Sequence, residues 1–122
     1  MGGPAHGATV LVVDDEPSIR LLCRVNLELD GYRVVEAASL AEARRALADD
    51  SVDLMLCDLH LEDGDGRELI EELHATERRL PVALLTGTVD LSALDRSSVD
   101  AVLEKPFRLE QLLDTVRELE SR

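Results

Sequence analysis

Tryptophan is missing from this 122-residue chain, and its only aromatic residues are Tyr32 and Phe107. Its interior must therefore be aliphatic, built from Leu, Val, Ile and Ala. A flavin carrier is disfavoured too, since little is present to stack on the ring and no phosphate-binding loop occurs. Cysteine is scarce: Cys23 and Cys57 fall inside apolar patterns without metal-ligand spacing. They read as buried, reduced thiols, and nothing calls for a disulfide. Basic residues number 13 against 26 acids, a formal charge of −13. Such a surface disfavours contact with nucleic-acid phosphates or anionic membranes. It suits basic partners and divalent cations, although most of these charges read as ordinary solvated surface. Long apolar runs are absent as well. None approaches the roughly 20 residues of a membrane span, and Val10–Val13 is cut short by Asp14, so it is no signal sequence. The expected compartment is the cytoplasm.

What remains is an alternation of short apolar runs and amphipathic stretches. Met1–Ala8 is small and polar and reads as a disordered leader, followed by one domain over residues 9–122. Thr9–Val13 predicts a strand. Pro17 suits a first helical position, and Ile19, Leu22, Cys23 and Leu27 share one helical face up to a stop at Gly31. Tyr32–Glu36 predicts a second strand. Ser39 and Glu42 form a capping box opening a helix with an inner stripe of Leu40, Ala43 and Leu47. Val52–Cys57 predicts a third strand, and His60–Gly66 a loop. Leu69, Ile70 and Leu73 line a third helix. Pro81–Leu85 and Ala101–Glu104 predict two more strands. Between them Leu91 and Leu94 hint at a short helix, and Leu109, Leu112, Leu113, Val116 and Leu119 mark a last one. The pattern is (βα)5: a doubly wound, flavodoxin-like α/β sandwich around a five-stranded parallel sheet.

In an open α/β sheet, function gathers beyond the carboxyl ends of the strands. There the pattern places Asp14 and Asp15, then Asp58, Thr86 and Lys105. Alone, each Asp reads as a turn former or helix start, Thr86-Gly87 as a turn, and Lys105-Pro106 says nothing. Together they fall on one edge, and three crowded carboxylates call for a compensating cation. Mg²⁺ takes such oxygen ligands. A Lys provides a point charge and a Thr a hydroxyl, both suited to phosphate oxygens. A nucleophilic carboxylate in that company is a phosphoryl-transfer site.

VVDDEP (12–17), CDLHLEDGDG (57–66), LLTG (84–87) and EKPF (104–107) resemble, in order and spacing, the receiver domain of two-component response regulators. The likeness runs from about Thr9 to Ser121. It implies that Asp58 accepts a phosphoryl group from a histidine kinase or histidine phosphotransfer domain. Asp15, Asp58 and the backbone carbonyl of His60 would bind Mg²⁺ directly, and Asp14 through water. Thr86 and Lys105 would meet the phosphoryl group, with a cis Lys105–Pro106 bond, and Asp65-Gly66 would shape the loop into the third helix. The implied activity is self-phosphorylation and self-dephosphorylation only, in a monomer or a weak phosphorylation-dependent dimer.

The chain departs from that family in places. Glu62 replaces a usual proline, which implies a more mobile loop, and Val102 replaces the usual aromatic of the switch. The stretch from Thr86 to Lys105 is a little short, implying a clipped fourth helix. His60 and Thr88 fall at positions that tune hydrolysis, while His6 and His74 read as solvated surface. One alternative is a pseudo-receiver serving as a phosphorylation-independent interaction scaffold. Another, a haloacid-dehalogenase-type hydrolase, wants a second Asp where His60 stands and a cap domain. Direct DNA binding is not expected, for want of a basic stripe. The cognate kinase, the output and the full-length context stay open.

Overall fold

The computed structural model describes residues 7–49, 52–76, 78–87 and 99–121. Five strands form one parallel sheet: β1 (Thr9–Val13), β2 (Arg33–Ala37), β3 (Leu54–Asp58), β6 (Val82–Gly87) and β7 (Ala101–Lys105), in the order β2-β1-β3-β6-β7. Helices α1 (Pro17–Leu29), α2 (Leu40–Asp49), α3 (Gly66–Ala75) and α4 (Leu109–Glu120) cover it. The segment around Leu91 and Leu94, with Thr88 and His6, lies outside the described residues.

Alternation along the strands sorts the core into two layers. Leu11, Val13, Met55, Cys57 and Leu84 face α2 and α3, meeting Leu40, Ala43, Leu69 and Ile70. Val10, Val12, Leu56, Ala83, Leu85 and Leu103 face α1 and α4, meeting Cys23, Leu27, Leu112, Val116 and Leu119. β3 is buried throughout because both its faces are covered. The interior is almost wholly aliphatic; of the two aromatics, Tyr32 is buried in the second layer and Phe107 packs against it.

Local signals explain the element ends. α1 stops because Gly31 adopts a φ of 97°, with Gly31 N–H donating to Glu28 O (3.1 Å) and Tyr32 N–H to Leu27 O (3.0 Å). These two bonds make a Schellman cap. At the start of α2, the Ser39 hydroxyl accepts from Glu42 N–H (3.1 Å), while Glu42 reaches back to Ala38 N–H (2.8 Å).

Four expectations need adjustment. Leu22, placed on the inner face of α1, is 40% exposed. The buried face follows Cys23 and Leu27, and Leu22 lies about 100° round the helix from Cys23. Asp58, Thr86 and Gly87 belong to strands rather than to the loops beyond them. Residues 60–66, expected to be a loop loosened at Glu62, contain a miniature antiparallel hairpin, β4 (His60–Leu61) with β5 (Gly64–Asp65). Gly7 and Ala8, assigned to the leader, bond to the α1–β2 corner: Gly7 N–H donates to Gly31 O (3.2 Å) and Ala8 O accepts from Arg33 N–H (2.8 Å).

Candidate functional site

The carboxyl ends of three neighbouring strands, β1, β3 and β6, carry most of the polar groups buried in this sheet. Asp14 follows β1 directly, fully buried, and Asp58 ends β3 at 7% exposure. Thr86, 1% exposed, lies on β6 one residue past Leu85, the register partner of Asp58. Lys105 ends β7. Parallel register thus delivers to one edge side chains that are far apart in sequence.

Asp14, Asp15 and Asp58 each offer a carboxylate oxygen within 4.8 Å of the other two. Lys105 Nζ stands 2.8 Å from Asp14 Oδ2, 3.3 Å from Asp58 Oδ2 and 3.6 Å from Glu16 Oε1. Asp58 Oδ1 accepts from His60 N–H at 3.3 Å. The Thr86 hydroxyl donates to its neighbour's carbonyl, Gly87 O, also at 3.3 Å. Burial, then the charge of Asp14, pushes the Asp58 carboxyl above its ordinary value, against the pull of Lys105. Burial alone would lower the Lys105 ammonium, but Asp14 and Asp58 outweigh it and hold it above its ordinary value.

One ammonium does not balance three carboxylates. Asp14 Oδ2 is buried without an aligned hydrogen-bond donor, so its contact with Lys105 is a charge pair of poor bonding geometry. A hard dication fits this donor set: oxygen-only, over-negative and partly unsatisfied. Cys57, adjacent to Asp58, is no ligand candidate. Burial pushes its thiol up to about 12, and that of Cys23 likewise.

The backbone around Asp58 is tightly constrained. A Cβ on Gly66 would collide with the Asp58 carbonyl oxygen, so only glycine lets α3 begin there. Asp65 caps α3 by accepting from Arg67 N–H (2.9 Å), with Glu68 returning to Asp65 N–H (3.2 Å). The Lys105–Pro106 bond is cis.

Two residues were not singled out from the sequence. Arg20 donates to the Asp14 carbonyl at 2.6 Å and to Glu36 at 3.2 Å, fixing the chain behind the acidic pair. Its signal was there: a cation spaced i, i+3, i+7 with the inner-face residues Cys23 and Leu27. Asp63, on the hairpin turn, is the other. His60 and His74 are exposed. A groove of about 960 Å³ opens at the opposite, amino edge of the sheet, beside Asp53, His74, Arg78 and Asp100, and contains none of the acidic cluster.

Residues 10–117 match the sequence profile of the response regulator receiver domain. The chain belongs to that family. It is a signalling phosphoacceptor domain rather than a conventional enzyme. Among curated relatives, the transcriptional regulatory protein GlrR of Escherichia coli K12 is 35% identical over 116 residues, covering 93% of this chain and 26% of that protein. The KDP operon regulator KdpE of the same strain is 38% identical over 112 residues, covering 88% and 49%. This receiver domain thus spans between a quarter and a half of those proteins. Among solved structures, a receiver domain protein from Clostridium thermocellum superposes with a TM-score of 0.84 at 27% identity, covering 94% of this chain and 95% of that one. The response regulator TrrA of Thermotoga maritima, solved in complex with Mg²⁺–BeF, gives a TM-score of 0.83 at 29% identity, covering 92% and 98%. A receiver domain implies a cognate histidine kinase. No described helix is long and apolar enough to cross a membrane.

Proposed function

We propose that Asp58 is the phosphoacceptor and that Asp14, Asp15, Asp58 and the His60 carbonyl hold the Mg²⁺ its reaction needs. The carrying observation is the cluster of three carboxylates within 4.8 Å beside Lys105, in excess of the charge that one ammonium neutralises. Bound there, the cation supplies neutralisation of the acidic cluster and of the incoming phosphoryl oxygens. The TrrA complex, in which Mg²⁺ and a beryllium fluoride are both bound, supports this assignment by analogy.

In the transfer step an Asp58 carboxylate oxygen attacks phosphorus. The new O–P bond forms as the P–N bond of a phosphohistidine breaks, and the imidazole leaves and takes up a proton. The product is an acyl phosphate. Reversal of state follows when water attacks phosphorus, the O–P bond breaks, and Asp58 regains its carboxylate with release of inorganic phosphate. Lys105 stands 3.3 Å from Asp58 Oδ2, close enough to pair with the added negative charge. Thr86 offers its hydroxyl to the phosphoryl group by turning its rotor away from Gly87 O.

The donor is assigned as a histidine kinase or a histidine phosphotransfer domain. Both cysteines are free and buried, which suits a reducing compartment, and the domain is assigned to the cytoplasm. The test is labelling of the chain by acetyl phosphate, followed by intact mass with and without Mg²⁺. One added phosphoryl group per chain, dependent on Mg²⁺ and mapped to Asp58, is the expected result. No labelling in the presence of Mg²⁺ overturns the reading.

A further inference from the structure

The hairpin that carries His60 has only two residue pairs, His60 with Asp65 and Leu61 with Gly64. An isolated ribbon of that size has no stability of its own. Something must hold it, because His60 N–H bonds the Asp58 carboxylate, and the His60 carbonyl is one of the proposed cation ligands. Leu61 contributes by burying its side chain. Asp65 ties the hairpin's second strand to α3 through the capping box, and Asp63 ties its turn to α2. Asp63 Oδ1 accepts from Leu40 N–H at 2.8 Å and Asp63 Oδ2 from Ala41 N–H at 3.1 Å. Leu40 and Ala41 open α2 and would otherwise carry unpaired helix-start amides. The same contact is pressed tight next door: a Cβ on Gly64 would meet Leu40 Cδ1 at 2.7 Å. α2 is itself locked to the sheet through Leu40 and Ala43, 1% and 0% exposed.

From this geometry we infer that Asp63 is a positioning residue for the phosphoacceptor site, clamping the His60 hairpin onto the amino end of α2. The inference rests on the proposed roles of Asp58 and the His60 carbonyl. A carboxylate suits this, because it gives each of the two consecutive amides its own oxygen and a share of the negative charge. Asparagine offers one oxygen. The two backbone amides, Leu40 first, hold the Asp63 carboxyl below its ordinary value, as expected for a charge engaged by both. Releasing the clamp frees the hairpin, loosens the oxygen donors around the cation, and opens the acyl phosphate to water.

The test compares the wild-type 122-residue chain with Asp63→Ala, Asp63→Asn and Glu62→Ala. Glu62 is exposed on the same turn, so its removal deletes one charge without touching α2. Amide exchange by NMR reads the clamp itself. In Asp63→Ala, the amides of Leu40, Ala41 and residues 60–65 exchange about five-fold faster, the equivalent of one lost helix cap. Mg²⁺ titration then shows several-fold weaker binding, and the acyl phosphate formed from acetyl phosphate decays several-fold faster. Asp63→Asn falls between, and Glu62→Ala matches wild type. Unchanged exchange at the hairpin, or unchanged Mg²⁺ affinity with faster exchange, overturns the inference. So does equal loss in Glu62→Ala, which assigns the effect to charge alone. If the wild type binds Mg²⁺ and shows the exchange pattern but takes no label, the phosphoacceptor reading fails and the clamp stands.

Discussion

The two edges of the sheet use the same residue type to opposite ends. At the amino edge, Asp53 accepts from Thr9 N–H at 2.7 Å and Asp100 from Val82 N–H at 2.8 Å. Each carboxylate there answers a backbone donor at a strand start, and the result is a tie. At the carboxyl edge, Asp14, Asp15 and Asp58 crowd one another, with Lys105 shared between Asp14 and Asp58 and one buried oxygen lacking an aligned donor. One edge spends its acids on structure. The other concentrates uncompensated charge, which costs stability in the resting protein and suits the proposed binding of a cation and a phosphoryl group.

The largest expected contrast is chemical. Asp58→Asn abolishes labelling by acetyl phosphate, read as loss of the added mass, whereas Asp53→Ala at the amino edge labels at the wild-type rate. Next is Lys105→Ala, which leaves Asp14 buried beside no ammonium. It lowers stability by about 2 kcal/mol in urea unfolding without Mg²⁺. Adding Asp58→Asn to that variant restores much of the loss, because the two residues are coupled.

A third effect has the opposite sign at the two edges. Without Mg²⁺, Asp58→Asn raises the unfolding midpoint by relieving repulsion, while Asp53→Ala lowers stability by about 1 kcal/mol through a lost hydrogen bond. The smallest is the pH dependence. The Asp58 carboxyl titrates higher in the folded chain than in the unfolded one. Protonation therefore favours the fold, and stability falls as pH rises through the folded value. The advantage of Asp58→Asn over wild type should then be full above the folded value and shrink as pH falls through it toward the ordinary carboxylate range. An advantage that is flat with pH would mean that repulsion is not its cause.

Much of this was legible along the chain, and the reasons are local. Continuous apolar runs such as Val10–Val13 marked strands, and Gly31 marked the end of α1, where its φ is 97°. The polar residues Asp14, Asp58, Thr86 and Lys105 stood out because each interrupts or terminates an apolar run. Leu22 misled because helical spacing gives a face only to within about one residue's turn, and it fell at the border. The hairpin at residues 60–65 was not legible, since two pairs of residues carry no periodicity.

Strand and helix order, the aliphatic core and the identity of the acidic set are determined by the sequence, because hydrophobic period and chain-breaking residues are properties of neighbours. The tertiary structure decided which acids become ties and which become a site. Asp53, Asp63 and Asp58 are the same side chain. Asp53 meets a strand amide and Asp63 two helix-start amides, one of them 23 residues away. Asp58 meets Asp14, Asp15 and a single shared ammonium. What a carboxylate does depends on which donors the fold brings to it, and that is a property of distance in space.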